Sequence, residues 1–286
     1  MKKYIKNCIA ALAIVCSLTA QAQDESSLLW KIEGNGLEKP SYIFGTIHMI
    51  CQEDYIMTDK IQNTLKNVDA YYAEINFSDA NNMAIMQKSM MSEIPLSKRL
   101  SVDKYNQLKT LLSDVVNLDI KQFENFSDAA IVSMITFKGF PCAEFKMYEM
   151  ELLQSVMHEK KKLGGLETIE EQMRIMNNSL GIDAIFQMLK DIKTEGFEST
   201  RMMVELYKNQ NIQGLYEYMK KASYMNNEVY NEILLKRNHN WLKEMPKIMK
   251  STSTFFAVGA AHLGGENGVI NLLQQKGYKV TPINIH

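Results

Sequence analysis

Histidine, proline and cysteine are scarce in this chain of 286 residues, which has five histidines, five prolines and four cysteines. Its net charge is -1, so it offers no basic stripe to neutralise phosphates, and we expect no nucleic-acid partner. It contains no H-E-x-x-H sequence, which excludes the zinc peptidases built on that helical motif. It also lacks C-x-x-C-H, which excludes covalently attached haem.

Long hydrophobic runs are absent except at the amino terminus. There a basic start is followed by an apolar run over residues 8–20 and by Ala20-Gln21-Ala22, the small-x-small pattern of a signal peptidase site. We predict a signal peptide over residues 1–22 and an exported domain over residues 23–286, periplasmic or secreted. An uncleaved membrane anchor is the alternative. We expect no stable membrane span after cleavage, because no second apolar stretch is long enough.

Only two cysteines, Cys51 and Cys142, follow the predicted cleavage site. In an oxidising compartment they could form one disulfide, although two free buried thiols are equally compatible with the sequence. Cys51 comes three residues after His48, so a disulfide there would brace the chain near that histidine.

One sequence motif, an apolar run followed by G-x-x-H, occurs twice, near opposite ends of the chain. Residues 41–48 read S-Y-I-F-G-T-I-H and residues 255–262 read F-F-A-V-G-A-A-H. Each is an apolar run typical of a buried strand, then a glycine that permits a sharp turn, then a histidine three positions later. Such histidines lie at the rim of a sheet, where His48 and His262 could converge on one metal ion. The alternative is two histidines in unrelated turns.

The hydrophobic pattern predicts an α/β (α+β) fold. Strands over residues 28–33 and 42–47 form a hairpin, and a helix over 59–67 leads to a strand over 70–75 that ends near Glu74. Helical spacing then dominates residues 79–153 and, after a brief strand at 163–167, continues to about 249. Thr168 is placed to cap the helix after that strand, and Gly277 to end the last helix of the chain. Strand, helix and strand return between 254 and 283. We therefore predict one mixed sheet formed by strands from both chain ends, with a large inserted helical layer as a lid over its carboxyl edge.

Five landmarks appear in order along this chain. They are Gly45-Thr46-Ile47-His48, Glu74, Gly165-Leu166-Glu167-Thr168 with Glu171-Gln172, Arg237-Asn238 with Trp241, and the closing segment over residues 258–265. In this order they resemble the TraB/GumN family, which includes the Tiki proteases and the bacterial pheromone-shutdown proteins. Two features depart from the family pattern: Met49-Ile50-Cys51 follows the first histidine, and the helical stretch before Gly165 lacks the customary G-I-D element.

The resemblance implies a fold similar to erythromycin-esterase-like and ChaN-like proteins (EreA/ChaN-like) and the activity of a metal-dependent hydrolase, a metalloprotease acting on a peptide or protein substrate. His48 and His262 are the predicted ligands of a divalent metal ion, Mn, Co or Zn. We expect the strand of Glu74 to lie directly beside the strand of His48, so Glu74 is predicted as the third ligand or as the base that takes a proton from water. Arg237, which accompanies the histidines in the family, is the predicted oxyanion donor.

Glu167 has two interpretations, a catalytic role and a structural salt bridge. A different class of function is also compatible with the sequence, a non-catalytic haem- or metal-binding protein of the ChaN-like type. The joint presence of Glu74, Glu167 and Arg237 favours the enzyme, because a haem-binding protein needs neither a base nor an oxyanion donor.

Overall fold

The computed structural model describes residues 26–223 and 225–286. The predicted signal peptide of residues 1–22 and the predicted start of the exported domain at Gln23 lie outside this part of the chain. Among the described residues, no helix combines the length and the apolar character needed to cross a membrane.

A mixed sheet of six strands carries the site. The strands of the chain are β1 (Leu29–Glu33), β2 (Ser41–Thr46), β3 (Ile50–Cys51), β4 (Ala70–Ala73), β5 (Phe145–Lys146), β6 (Lys162–Gly165), β7 (Thr254–Gly259) and β8 (Lys279–Ile283). All of these except β3 and β5 form the mixed sheet, in the order β6-β4-β7-β2-β1-β8. Neighbours from β6 to β2 are parallel, and β1 is antiparallel to both β2 and β8. The predicted mixed sheet with strands from both chain ends is confirmed.

The order of the strands differs from the sequence prediction in one respect. The helix after the hairpin does lead to a strand parallel to β2, but β7 lies between β2 and β4. The expectation that the strand of Glu74 lies directly beside the strand of His48 is therefore wrong. β7 takes a central place, and its six residues are almost entirely buried, as a parallel strand covered on both faces requires.

Helices occupy most of the chain between β4 and β7, while the first helix precedes β4 and the last follows β7. They are α1 (Asp59–Lys66), α2 (Ala80–Ser89), α3 (Leu96–Arg99), α4 (Val102–Val116), α5 (Asp128–Phe137), α6 (Tyr148–Val156), α7 (Ile169–Ser179), α8 (Ile182–Glu195), α9 (Glu198–Lys208), α10 (Ile212–Lys221), α11 (Asn227–Tyr230), α12 (Lys236–Ser251) and α13 (Val269–Gln275). Helices α3, α4, α5 and α8 bury an apolar cluster of their own, separate from the cluster around the sheet. This is the predicted helical insertion.

Local signals explain several helix ends. The hydroxyl of Thr168 accepts a hydrogen bond from the backbone N–H of Glu171, so Thr168 caps α7 as its sequence predicts. Gly277 follows the end of α13 with a φ of +88°, a left-handed conformation that glycine adopts without steric cost. These caps fix where α7 leaves β6 and where α13 returns to β8.

A two-stranded ribbon was not predicted from the sequence. β3 pairs with β5 in an antiparallel arrangement, directly after His48 and directly before α6. Cys51 and Cys142 form a disulfide beside this ribbon, with their Cα atoms 5.8 Å apart. The open question between a disulfide and two free thiols is thus answered in favour of the disulfide. It ties the segment after His48 to the segment that leads into α6.

Candidate functional site

The carboxyl ends of four parallel strands meet at one edge of the sheet. The register places Thr46 beside Gly259, Ala73 beside Ala257, and Ala73 beside Gly165. Because parallel strands point the same way, the residues that follow them leave from the same edge. Each predicted site residue of the sheet, namely His48, Glu74, Glu167 and His262, follows one of these four strand ends.

Two glycines let these strand ends approach closely. A Cβ on Gly45 would lie 3.1 Å from the Cα of Ala260, so only glycine allows the first G-x-x-H turn to pack on the second. A Cβ on Gly165 would lie 2.8 Å from the backbone nitrogen of Asn76. With that space free, the carbonyl of Glu74 accepts hydrogen bonds from the N–H groups of Leu166 and Glu167, both at 3.0 Å.

Arg237 lies between the two acidic residues at the ends of β4 and β6. Its Nη2 is 2.5 Å from Oε2 of Glu74 and 2.6 Å from Oε1 of Glu167, and its Nε donates to Glu167 at 3.0 Å. All three side chains are buried from water. Arg237 keeps its positive charge. Burial alone would lower its pKa, but the two carboxylates outweigh that effect and raise the pKa above its ordinary value.

A π-helical turn over Asn231–Leu235 precedes Arg237 in the chain. Such a turn widens the helix by one residue and changes which backbone carbonyls are bonded within it. The carbonyl of Ile233 accepts a hydrogen bond from Nη1 of Arg237 at 3.2 Å. The irregular turn therefore supplies one of the contacts that orient the guanidinium.

Glu74 is fully engaged by neighbouring donors. Oε1 accepts from the backbone N–H of Gly259 at 2.8 Å, and Oε2 accepts from Arg237 and from Nε2 of Gln172, the latter at 3.0 Å. Burial alone would raise the pKa of Glu74, but the guanidinium of Arg237, together with both imidazoles and the N–H of Gly259, outweighs it and the pKa falls to about 2. The carboxylate is thus charged throughout the neutral range and is a weak base.

Glu167 differs from Glu74 although both contact Arg237. Burial raises the pKa of Glu167 above its ordinary value, in spite of the opposing effect of the guanidinium. Gln172 donates to Oε1 of Glu167 at 3.0 Å and so bridges the two carboxylates. Of this pair, Glu167 is the better proton acceptor near neutral pH.

His262 is buried at the end of the second G-x-x-H segment, in a 3-10 turn that follows β7. Its Nδ1 lies 2.6 Å from Oδ1 of Asn238, its Nε2 lies 3.2 Å from Nη1 of Arg237, and its ring packs against Trp241 at 4.5 Å between centroids. Burial, with help from the charge of Arg237, lowers the pKa of His262 to about 3. The imidazole is therefore neutral at physiological pH, the form in which histidine binds metals.

His48 has a different environment. Its side chain is 74% exposed, and its Nδ1 lies 2.8 Å from Oε1 of Glu149, in the first turn of α6. The Glu149 carboxylate raises the pKa of His48. In the described residues His48 makes no hydrogen bond to Glu74, Glu167, Arg237 or His262, although its charge acts on the pKa values of both Glu74 and His262.

Sequence reasoning missed three residues of this site. Asn238 and Gln172 stand inside the sequence landmarks, beside Arg237 and in the Glu171-Gln172 pair, so a signal for them was present. Glu149 had no such signal, because an acidic residue in the first turn of a helix is common for electrostatic reasons alone.

A model of the TraB/PrgY/gumN family matches residues 28–282. The chain belongs to this family. The predicted family resemblance is thereby confirmed, and the match covers the whole sheet together with the inserted helices.

Among the relatives of this TraB/PrgY/gumN protein are three named metalloproteases. Metalloprotease TIKI2 of Xenopus tropicalis is 23% identical over 93% of this chain and 61% of its own length. Metalloprotease TIKI1 of the same organism is 23% identical, and that of Homo sapiens 21%, each over 93% of this chain and 63% of the relative. The chain thus spans less than two thirds of these relatives. No solved structure matches, so the expected likeness to EreA/ChaN-like folds stays a prediction.

The residues of this TraB/PrgY/gumN protein suit a divalent cation in donor chemistry and charge. Within residues 26–223 and 225–286, no three His, Cys, Asp or Glu side chains already stand close enough to hold an ion. The site nevertheless gathers three carboxylates, of Glu74, Glu149 and Glu167, against the single guanidinium of Arg237. With His262 neutral and His48 protonated, this leaves one negative charge, and a second once His48 gives up its proton. One divalent cation would then balance both. Buried charge without compensation is costly, so the imbalance favours a cation.

Proposed function

We propose that this protein is an exported, metal-dependent peptidase. One observation carries the proposal: two imidazoles leave the ends of adjacent parallel strands beside buried carboxylates that outnumber the single guanidinium of Arg237. The metalloprotease names of the relatives support the same reaction class.

His48 and His262 would hold a divalent ion such as Mn, Co or Zn. When bound, such an ion lowers the pKa of water towards about 7 and makes hydroxide available at neutral pH. His262 is already neutral, whereas His48 must give up the proton that Glu149 stabilises. The sequence suggested Glu74 as third ligand or base. Both oxygens of Glu74 are taken, by Gly259, Arg237 and Gln172, whereas among the described residues Oε2 of Glu167 accepts only from Nε of Arg237 at 3.2 Å. We therefore propose that Glu74 chiefly holds Arg237 in place.

The protein residues divide the remaining chemistry between them. Glu167, with its raised pKa, accepts the proton of the attacking water. As the water oxygen bonds to the carbonyl carbon of a peptide, the carbonyl oxygen gains negative charge, and Arg237 donates hydrogen bonds to it. Glu167 then returns the proton to the departing nitrogen as the C–N bond breaks. Arg237 retains its charge throughout, because both partner carboxylates raise its pKa.

The alternative function is metal or haem binding without turnover. It predicts that the histidines bind their ligand while no peptide is cleaved, and that Glu167 and Arg237 have no effect beyond stability. The buried carboxylate of Glu167, with its raised pKa, lies beside the buried guanidinium of Arg237. This pair favours the enzyme, since binding without turnover requires no proton acceptor.

The deciding experiment combines metal analysis with peptide digestion. The purified protein is expected to contain or take up a divalent ion and to cleave members of a peptide library, and His48→Ala and His262→Ala are each expected to lose both properties. His239→Ala is the matched control, because His239 is exposed on α12. Full metal content and full hydrolysis in both histidine variants would exclude the proposed site. Metal binding without cleavage of any peptide would support the binding protein.

Export forms a separate part of the proposal. The disulfide between Cys51 and Cys142 suits an oxidising compartment, which supports the signal peptide predicted over residues 1–22. Sequencing the amino terminus of the native protein is expected to give a start close to Gln23. A native chain that begins at Met1 would contradict this.

A further inference from the structure

Both histidines of the site are held through the same ring nitrogen. Nδ1 of His48 lies 2.8 Å from Oε1 of Glu149, and Nδ1 of His262 lies 2.6 Å from Oδ1 of Asn238. The two acceptors belong to different helices, α6 and α12. Two separate parts of the chain thus make the same kind of contact to the two imidazoles.

Neighbouring groups settle how the Asn238 amide is oriented. Its Nδ2 donates to the carbonyl of Asn267 at 2.8 Å and to that of His262 at 3.3 Å, so its Oδ1 faces the imidazole. An amide oxygen only accepts, and therefore Nδ1 of His262 carries the hydrogen. The contact at Nε2 supports the same assignment, because Nη1 of Arg237 lies 3.2 Å from it and a guanidinium can only donate. The lone pair of His262 is on Nε2.

The same reasoning applies to His48. A carboxylate oxygen accepts, so Nδ1 of His48 donates to Glu149, and in the neutral ring the lone pair is on Nε2. Glu149 is itself held, because the hydroxyl of Thr46 donates to the same Oε1 at 3.4 Å. Its side chain is only 14% exposed, against 74% for His48, so the acceptor is mostly shielded from water while the imidazole is open to it.

The fold fixes the position of Glu149 relative to His48. β3 begins two residues after His48, β5 ends two residues before Tyr148, and these strands pair with each other. The disulfide between Cys51 and Cys142 closes the same ribbon. The chain just after His48 is thus covalently linked to the chain that leads into the helix of Glu149.

We propose that Glu149 and Asn238 are positioning residues that fix His48 and His262 so that the lone pair of each ring is on Nε2, the atom that would bind a metal ion. At His262 the ion would replace the contact to Nη1 of Arg237. This deepens the proposed function and rests on it for the ion. Carboxylate or amide partners of metal-binding histidines set the ring orientation and raise its affinity for the metal. Glu149 is thereby given a role that neither the sequence landmarks nor the family match assigns.

Zinc titration of the purified full-length mature protein tests the metal part. Glu149→Ala is expected to weaken Zn²⁺ binding by about ten- to hundredfold, and Glu149→Gln less, because its amide oxygen can still accept from Nδ1. Glu151→Gln is the matched control: Glu151 lies on the same helix and pairs with Lys146, outside the site. Zn²⁺ binding by Glu149→Ala as tight as that of the wild type would overturn the proposal.

A second measurement needs no metal. Long-range ¹H–¹⁵N spectra of chelator-treated protein at about pH 10, where both rings are neutral, report which nitrogen carries the hydrogen. Nδ1–H signals are expected for both histidines in the wild type, with that of His48 lost in Glu149→Ala and that of His262 lost in Asn238→Ala. Unchanged signals in folded variants would overturn the inference. If the wild type bound no Zn²⁺, the proposed ion would fail, while these signals would still decide the roles of Glu149 and Asn238.

Discussion

Nη2 of Arg237 lies 2.5 Å from Oε2 of Glu74, although the two residues are 163 positions apart in the chain. Glu74 directly follows β4 of the sheet and Arg237 lies on α12, so this ion pair joins the helical layer to the sheet. Both side chains are buried, and in such a place each charge depends on the other.

Removing Arg237 is therefore expected to destabilise the fold as well as slow any hydrolysis. Arg237→Ala leaves Glu74 and Glu167 buried without their partner, and breaking a buried pair from one side typically costs about 3–5 kcal/mol. The free energy of unfolding from urea titration at neutral pH measures this. Arg201→Ala is the matched control, because Arg201 pairs with Glu198 on the surface and its loss is expected to cost less than about 1 kcal/mol. Equal losses in the two variants would show that the buried cluster contributes little.

The sequence was informative where signals are local. Apolar runs that end in glycine marked β2 and β7 correctly, since burial on both faces demands such runs. Thr168 and Gly277 marked helix ends because caps act within one turn. Arg237 and Glu167 were identified by their family landmarks, and their direct contact fits both interpretations of Glu167.

The pairing of strands that are far apart in the chain could not be predicted from such local signals. The placement of β7 between β2 and β4 depends on residues about 180 positions apart, for which no periodicity exists. The ribbon of β3 and β5 has two residues in each strand, too few to show alternation. Because Glu149 reaches His48 through that ribbon, its role was hidden for the same physical reason.

Exchange of each buried carboxylate for its amide should separate proton transfer from positioning. Glu167→Gln cannot accept a proton, so kcat is expected to fall by about 10² to 10⁴ with little change in KM. Glu74→Gln keeps the side-chain shape but weakens the hold on Arg237, so its loss of rate is expected to be accompanied by a loss of stability. Steady-state kinetics and urea unfolding of both variants measure this. A larger fall in kcat for Glu74→Gln, with unchanged stability, would make Glu74 the base.

His262 should make stability depend on pH. Burial lowers its pKa from 6.5 to about 3, so over this range the unfolded chain binds a proton that the folded protein does not. Stability is therefore expected to fall as the pH falls below 6.5, with a slope approaching about 1.4 kcal/mol per pH unit. Urea unfolding of chelator-treated protein between pH 6.5 and about 5 avoids most carboxylate titration.

The variant His262→Gln isolates this effect. Burial raises the pKa of Glu167, which acts in the opposite direction as the pH falls, so the informative quantity is the difference in slope between wild type and variant. The variant is expected to lose the part of the slope that comes from the imidazole. Identical slopes in the two proteins would show that His262 takes up its proton without unfolding.

Gly45 should couple the two G-x-x-H segments. A Cβ there would lie 2.9 Å from Cδ1 of Leu263, 3.0 Å from Cβ of Ala260 and 3.1 Å from its Cα. The leucine side chain can move, but the backbone of Ala260 cannot do so without shifting the turn that carries His262.

Gly45→Ala is consequently expected to cost about 1–3 kcal/mol of unfolding free energy, the range of overpacked interiors, and to weaken Zn²⁺ binding as well. Gly181→Ala is the control, since nothing lies within 4 Å of the Cβ it would add at the start of α8; we expect it to cost less than about 1 kcal/mol and to leave Zn²⁺ binding unchanged. Only Gly45→Ala is expected to move a turn that carries a predicted metal ligand. Zn²⁺ affinity should therefore distinguish the two variants more clearly than the free energy of unfolding does. Wild-type Zn²⁺ affinity in a folded Gly45→Ala protein would mean that the first turn does not set the position of His262.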